Sequence, residues 1–341
     1  MMLAASSRAA TMRVLIVSES DVESLLTMEE CIEVMERALI SLARGEMYQP
    51  LRSLARAPGA AGLLGLMPSY VGPRLGGSEA RGPRPEASFY GLKEVCVFPG
   101  NPSRGLDTHL GAVLLHSGET GELLAVMNAS AITAIRTAAV SAVATKLLAR
   151  DDSRKLAIIG AGAQARSHLQ AIPLVRKIAR ICVYSRTRSH AEQLDAEVAD
   201  SVEEAVRDAD IIVTTTNSKE PILRREWIKP GAHINAVGSS IATARELDSA
   251  TMAAASLFVD RRESTVNESG DYLFALREGA IDEKHIRAEL GELLIGTATG
   301  RKSPDEITLF KSLGLAIEDL ASAAFIFDKV ERTGGGTFVE F

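Results

Sequence analysis

Residues 155–170, KLAIIGAGAQARSHLQ, decide how the rest of the chain is read. Residues 156–159 are a short apolar run of the kind that forms a buried strand. It ends in Gly160-Ala161-Gly162, and a helical pattern begins at once. Strand, glycine turn and helix in that order make a dinucleotide-binding βαβ unit. Gly160 permits the tight turn. Gly162 lets the backbone approach a pyrophosphate, whose charge the helix N-terminus accepts. Ala165 stands where a third glycine often does. About 150 residues precede this unit, so a different domain comes first.

Downstream, apolar runs alternate with helical patterns. Strands are expected at 181–185, 211–216, 233–237 and 257–260, and helices at 189–198 and 202–207. Such alternation implies a doubly wound parallel sheet. After Asp271 the pattern turns helical, and 309–327 reads as one long apolar helix packing back on the first domain.

Upstream, 13–17 reads as a strand and Ser20 or Asp21 as the cap of the next turn. Thr27 and Glu30 form a capping box opening a helix over 28–43. Residues 48–56 read as extended and 63–67 as a short apolar segment. The Gly/Pro-rich stretch 71–85 reads as an exposed loop. Strands at 88–98, 108–116 and 122–128 follow, the last two joined by the turn 117–121. An Ala-rich helix over 132–149, with Thr133 as its cap, leads into the glycine turn. The first 130 residues are thus mostly antiparallel strands with one long helix.

The totals exclude several classes. A length of 341 residues suggests two domains, and 46% hydrophobic residues suffice for their cores. With 4% aromatic residues and one tryptophan, no base-stacking platform is expected. A net charge of −6 gives no basic face for nucleic acid or an anionic membrane. The 3 cysteines, Cys31, Cys96 and Cys182, are far apart and lack metal or redox spacing. They read as buried reduced thiols of a cytoplasmic protein. No metal motif or Gly-x-Ser-x-Gly elbow occurs. No apolar run approaches the ~18–20 residues of a membrane span. Residues 1–11 read as a disordered extension, not a signal peptide.

An acid at the end of the second strand would bind the ribose 2′-hydroxyl of NAD. Here the strand is followed by Ser185-Arg186-Thr187-Arg188, which suits a 2′-phosphate. NADP(H) is therefore expected over NAD(H), although a solvated turn would carry the same residues. Arg136 lies in an otherwise uncharged run, read as the first turn of a helix, where a cation opposes the macrodipole. It needs an anion: a substrate carboxylate gripped bidentately, or an internal Asp or Glu. Lys93 shares a strand face with Val95 and Val97, so it either snorkels to solvent or works in a site with a lowered pKa. Arg52 is undecided on its own. Of the histidines, His109 is expected near the cleft, and His168 and His233 in structural roles.

Four runs together resemble the ornithine cyclodeaminase/mu-crystallin family: ITAIRTAAVSAV (132–143), IIGAGAQ (158–164), EPILRREWIKPGAHINAVGSSIATARELD (220–248) and TLFKSLGLAIED (308–319). The resemblance covers residues 12 to about 333 and fits the 71–85 loop least. It implies a homodimer with an α/β architecture. A Rossmann domain over 137–314 joins an α+β substrate-binding and dimerisation domain over 12–136 and 315–333, with disordered tails at 1–11 and 334–341. It implies hydride transfer between a nicotinamide and an amino or imino acid. Carried over residue by residue, Arg52, Lys93 and Arg136 match the carboxylate-binding cations, with Lys93 and Arg136 catalytic. Leu313 lines the substrate pocket. Thr108, Thr137, Ala163, Gln164, Thr214 and Ser312 lie near the cofactor, with Gly160, Gly162, Ser185, Arg186, Thr187, Val237, Gly238 and Ser239. Ser240 stands where true ornithine cyclodeaminases carry a catalytic aspartate. A serine cannot anchor an ammonium, so reduction of a cyclic ketimine carboxylate is expected before ornithine cyclisation. Alanine dehydrogenase and a ligand-binding protein with little turnover remain alternatives.

Overall fold

The computed structural model describes residues 12–72 and 87–341. Its strand Lys155–Ile159 is buried on both sides: Leu156 and Ile158 enter one core, Ala157 and Ile159 another. Ile211–Thr214 splits in the same way, with Ile211 and Val213 facing one core and Ile212 the other. Strands covered on both faces read as continuous apolar runs, which favours a parallel sheet. The sheet has 8 strands, all parallel. Its spatial order is Glu197–Val198, Arg180–Tyr184, Lys155–Ile159, Ile211–Thr214, His233–Ala236, Thr308–Lys311, Ser256–Val259 and Ile286–Glu289. The chain runs outward from Lys155–Ile159 on one side, then crosses to Ile211–Thr214 on the other. Ligands of doubly wound sheets bind at the carboxyl ends of the strands beside such a reversal.

Three expectations about this half are corrected. Residues 309–327 are not one helix: Thr308–Lys311 is an inner strand, and the helix is Ala316–Thr333. A strand buried on both faces has no alternation to separate it from a buried helix. Gly314, at φ +78°, turns the chain between them. The segment after Asp271 does carry the helix Gly270–Arg277, but it also contains the strand Ile286–Glu289. The helix expected over 189–198 shrinks to Arg188–Ala191 and gives way to the edge strand Glu197–Val198.

The other sheet also has 8 strands and is mixed. From one edge it runs Thr337–Glu340, Arg13–Val17, Leu123–Asn128, His109–Ser117, Phe89–Val97, Leu63–Val71 and Met47–Tyr48, with Ser53–Ala55 also paired to Leu63–Val71. Among the described residues only Arg13–Val17 and Leu123–Asn128 pair in parallel in this sheet. The tail is ordered, against expectation: the glycines at 334–336 all take positive φ and turn Thr337–Glu340 back onto Arg13–Ile16. Of the expected loop 71–85, residues 73–85 lie outside the described residues; Val71 closes a strand and Gly72 N–H donates to the Glu46 carbonyl. The expected extension 1–11 also lies outside them.

One face of this sheet is covered by helices. Met28–Ala43 opens with the Thr27/Glu30 capping box, an arrangement whose loss costs about 1 kcal/mol. The preceding helix Glu19–Leu25 is capped by Ser18, not by Ser20 or Asp21; Asp21 completes the box from inside. The Ala-rich helix starts earlier than expected. It spans Ala129–Leu148 and is capped by Asn128, not Thr133. At 20 residues it is long and apolar enough to cross a membrane, which corrects the reading that no run approaches that length. Most of it is buried inside the protein. It packs on Met28–Ala43, Ala163–Val175 and His109–Ser117, and reaches His233–Ala236 and Thr308–Lys311. It therefore runs straight through the expected domain border at 136/137. All three cysteines are free; Cys31 is buried, whereas Cys96 and Cys182 are half-buried.

Candidate active site

Because the Ala-rich helix begins at Ala129, Arg136 sits in its third turn, past the reach of the N-terminal dipole. Its side chain is buried and points at the start of the Ala316–Thr333 helix. Nη1 donates to Glu318 Oε2 at 2.7 Å and Nε to Asp319 Oδ1 at 3.2 Å. The internal anion is therefore present. Lys93 enters from the neighbouring strand: Nζ donates to Thr133 Oγ1 at 2.6 Å and to Asp319 Oδ1 at 3.1 Å. Arg52 donates from Nη2 to the Leu313 carbonyl at 3.0 Å and pairs through Nε with Glu268 at 2.9 Å. The turn Leu313–Gly314 is held from behind by Asp260, whose Oδ2 accepts both backbone N–H groups at 2.6 and 2.9 Å. A Cβ on Gly314 would come within 2.5 Å of Arg136 Nη1. Arg52 and Arg136 thus meet at the Leu313–Gly314 turn, where φ +78° and the Arg136 guanidinium favour glycine, and Lys93 joins them through Asp319.

Each cation keeps a donor in reserve. Among the described residues, Arg136 Nη2, Arg52 Nη1 and the third proton of Lys93 Nζ have no acceptor. The acids orient the cations without saturating them.

Burial shapes the titration of this cluster. It lowers Lys93 to about 8, against the pull of Asp319. It raises Glu318 to about 7, although Arg136 opposes the rise. Burial also raises Asp260 and Glu268, with Arg52 opposing in both. For Arg136 burial acts downward, but Asp319 and Glu318 outweigh it and the guanidinium stays charged.

The glycine turn lies next to this cluster. Gly160 has φ +116°, and a Cβ there would meet Thr215 Oγ1 at 2.6 Å. Gly162 caps the helix Ala163–Val175 with no side-chain bond, and a Cβ on it would meet nothing within 4 Å. No described side chain caps the first N–H groups of this helix, which is what an anion at a helix N-terminus requires. Ala165, at the third-glycine position, is fully buried in the core on one face of the parallel sheet. Gln164 Nε2 donates to the Thr133 carbonyl at 3.3 Å, while its buried Oε1 has no partner. Thr133 therefore connects Lys93 to the nucleotide helix.

Most of the other expected cofactor residues occupy carboxyl ends of strands in the parallel sheet; Thr108 and Thr137 do not. Ser185, Arg186 and Thr187 follow Arg180–Tyr184. Arg188 is tied to Glu192 and Asp200, whereas Arg186 is exposed and makes no ion pair among the described residues. Thr214 ends Ile211–Thr214, Val237, Gly238 and Ser239 follow His233–Ala236, and buried Ser312 follows Thr308–Lys311. Ser240 is half-buried beside them. Thr137 is buried next to Arg136. Thr108 is half-buried, and no described hydrogen bond links it to the glycine turn.

Sequence reasoning missed Glu318, Asp319, Glu268, Asp260 and Glu246. Glu318 and Asp319 lie in a first helical turn, where acids commonly serve the dipole. Their signal was apolar surroundings on both sides. His109 starts its strand, and burial of its ring lowers its pKa, with the Lys93 charge acting the same way and Asp107 opposing. His168 is buried between the Gln164 carbonyl and Ser141 Oγ, and His233 is buried against Thr308 Oγ1. Both are structural. Among the described residues no cluster of His, Cys, Asp and Glu could hold a metal.

Comparison with known proteins bears on this geometry. The ornithine cyclodeaminase/mu-crystallin family model matches residues 12–334. Ketimine reductase mu-crystallin of Mus musculus is 41% identical over 306 residues, covering 87% of this chain and 91% of the mouse protein. Thermococcus litoralis Delta(1)-pyrroline-2-carboxylate reductase, solved with NADH and L-proline, superposes with a TM-score of 0.89 at 40% identity, covering 95% of this chain and 99% of that one. An archaeal alanine dehydrogenase dimer with bound NAD gives a TM-score of 0.87 at 33% identity, covering 97% and 100%.

Proposed function

Because the chain belongs to the ornithine cyclodeaminase/mu-crystallin family, we propose that it is an NAD(P)H-dependent reductase of cyclic imino acids. The substrate class is the ketimine carboxylates, of pyrroline-2- or piperideine-2-carboxylate type. The observation that carries this reading is that Arg52 and Arg136 meet at the Leu313–Gly314 turn while Lys93 shares Asp319 with Arg136, each cation with an unused donor, and that Thr133 ties Lys93 to the nucleotide helix.

The open helix N-terminus at Gly162 and the unpartnered Gln164 Oε1 fit a dinucleotide. Gly160, Gly162, Ala163 and Gln164 would hold its pyrophosphate, and Ser185, Arg186 and Thr187 its ribose. Residues 237–239, Thr214 and Ser312 would line the far end. When bound in reduced form, the cofactor supplies a hydride to the imine carbon. The chain's own residues do the rest. Arg136 Nη2 and Arg52 Nη1 grip the carboxylate. Lys93, held by Thr133 and Asp319, points its third proton at the imine nitrogen and supplies the proton that accompanies the hydride. Leu313 gives the ring an apolar wall. Fixing these groups beforehand is the main contribution to rate. Ser240 carries no charge for a side-chain ammonium, which disfavours ornithine as substrate.

Arg186, free of internal ion pairs beside Ser185 and Thr187, supports NADP(H) over NAD(H). An apolar face of the mixed sheet, exposed at Pro68 and Ile16 and half-buried between them, supports a homodimer. One row across it reads Pro68, Leu92, Leu114, Val126 and Ile16, paired strand to strand. A contiguous apolar face of this kind marks an interface. The free cysteines suit a reducing compartment, the cytoplasm.

The deciding experiment is oxidation of NADPH and NADH with a panel of cyclic imino acids, and with 2-oxo acids plus amines. Turnover is expected with the five- and six-membered ketimine carboxylates. Ammonia release from ornithine without net cofactor change would instead indicate a cyclodeaminase. Cofactor binding without turnover on any substrate would indicate a binding protein.

A further inference from the structure

The carboxyl ends of two strands on the far side of the glycine turn are stitched together by one buried side chain. Glu246 is fully buried and lies outside the cluster of cations. Its Oε1 accepts from the Thr216 backbone N–H at 2.7 Å and the Thr216 hydroxyl at 2.8 Å. Its Oε2 accepts from Thr214 Oγ1 at 2.8 Å, Gly238 N–H at 2.8 Å and Ser239 N–H at 3.3 Å. The segment after Ile211–Thr214 and the segment after His233–Ala236 therefore share one carboxylate. They also touch directly, since a Cβ on Gly238 would overlap the Thr216 backbone.

Glu246 is itself held. Asp271 Oδ1 accepts the backbone N–H groups of Glu246 and Leu247 at 2.8 and 2.9 Å. Asp271 Oδ2 lies 2.9 Å from Lys311 Nζ, and neither side chain is exposed. Lys311 in turn donates to the Ser239 carbonyl at 2.5 Å. Ser239 is thus fixed at its N–H by Glu246 and at its carbonyl by Lys311. A buried ion pair of this sort gives little net stability. Its consequence here is geometric: two surface segments become one rigid ledge.

A dinucleotide whose pyrophosphate sits at Gly162 extends both ways from the reversal in strand order. One half reaches Ser185 and Arg186, and the other must cross the ends of Ile211–Thr214 and His233–Ala236. We propose that Glu246, held by Asp271 and Lys311, is a positioning residue that shapes the ledge under the nicotinamide half of the cofactor. This rests on the cofactor reading above.

Glu246→Gln is the informative change. Both carboxylate oxygens accept backbone N–H groups, so either orientation of an amide would turn its NH2 against a donor. One segment must then shift. Isothermal titration calorimetry with NADH and with ADP-ribose separates the two halves, because ADP-ribose lacks the nicotinamide. Glu246→Gln is expected to weaken NADH about tenfold or more while ADP-ribose stays within about twofold. A merely structural role would lower the melting temperature and leave that ratio unchanged. Equal losses for both ligands, or no loss for either, would overturn the proposal. Should Glu246→Gln fail to fold, the charge-neutral pair Asp271→Asn/Lys311→Met, which keeps the Glu246 carboxylate, is judged by the same ratio. Wild-type protein that binds neither NADH nor NADPH would refute the cofactor reading instead; where only NADPH binds, NADPH and 2′-phospho-ADP-ribose replace the two ligands.

Discussion

Lys93 and Arg136 meet on one oxygen: Lys93 Nζ lies 3.1 Å and Arg136 Nε 3.2 Å from Asp319 Oδ1. Two buried cations this close repel, and the shared carboxylate lets them coexist. Asp319→Asn keeps the size and removes the charge. It should destabilise the protein by about 3–5 kcal/mol, the usual effect of leaving buried charge uncompensated, as read from chemical denaturation. In the folded fraction kcat/KM for the imino acid should fall by roughly 10–100-fold.

Lys93 should set the alkaline limb of the rate profile. Burial lowers it to about 8 while Asp319 acts the other way, and Arg136, Glu318 and His109 are the other titratable groups acting on this locus. The charged form carries the proton, so kcat/KM should be level below about pH 8 and fall above it. Lys93→Ala should lower turnover by roughly 10²–10⁴-fold and erase that limb, with NADPH affinity unchanged by calorimetry. An unaltered rate in this variant would remove Lys93 from the mechanism.

Glu318 should make stability decline as the solution becomes less acidic. Its folded-state value rises from 4.5 to about 7, chiefly by burial. Between those values the folded protein holds a proton that the unfolded chain has lost. The associated stability is therefore full below pH 4.5 and is lost as pH rises through 7. The loss is on the order of 3 kcal/mol. Urea titrations of Glu318→Gln across this range should show a flatter dependence than wild type.

Arg186 should discriminate between the two nicotinamide cofactors. Arg186→Ala is expected to raise the KM for NADPH about tenfold, the scale of one charge-assisted contact. The KM for NADH should move less than about twofold. Equal changes for both would mean that the arginine reads no phosphate.

The apolar row on the mixed sheet predicts assembly. Leu92 and Leu114 stand opposite each other at its middle. Leu92→Glu or Leu114→Glu should halve the mass seen by analytical ultracentrifugation without unfolding the monomer. A wild-type protein already monomeric at micromolar concentration would contradict the expectation.

The glycine turn was legible because its constraint is local: Gly160 must take a positive φ, and Gly162 must leave a helix N-terminus bare. The Thr27 capping box was legible for the same reason. Thr308–Lys311 was not, since burial on both faces erases periodicity. The anion facing Arg136 was also hidden, because Glu318 and Asp319 lie about 180 residues away along the chain and only tertiary contact joins them. Arg136 announced its need for a partner, while the partner looked like an ordinary helix-start acid. Glu246 escaped for a related reason. Its donors are mostly backbone N–H groups, which no side-chain pattern reveals.

The Ala129–Leu148 helix places Arg136 and Thr145 on a single continuous rod. Arg136 belongs to the cation cluster, and Thr145 Oγ1 accepts from Asn235 Nδ2 at 2.9 Å inside the parallel sheet. Helical rise sets these two attachment points about 13 Å apart. The rod thus acts as a gauge block between the cation cluster and the parallel sheet. An inserted or deleted residue within it would swing Arg136 by about 100° and disconnect the two halves without touching either one.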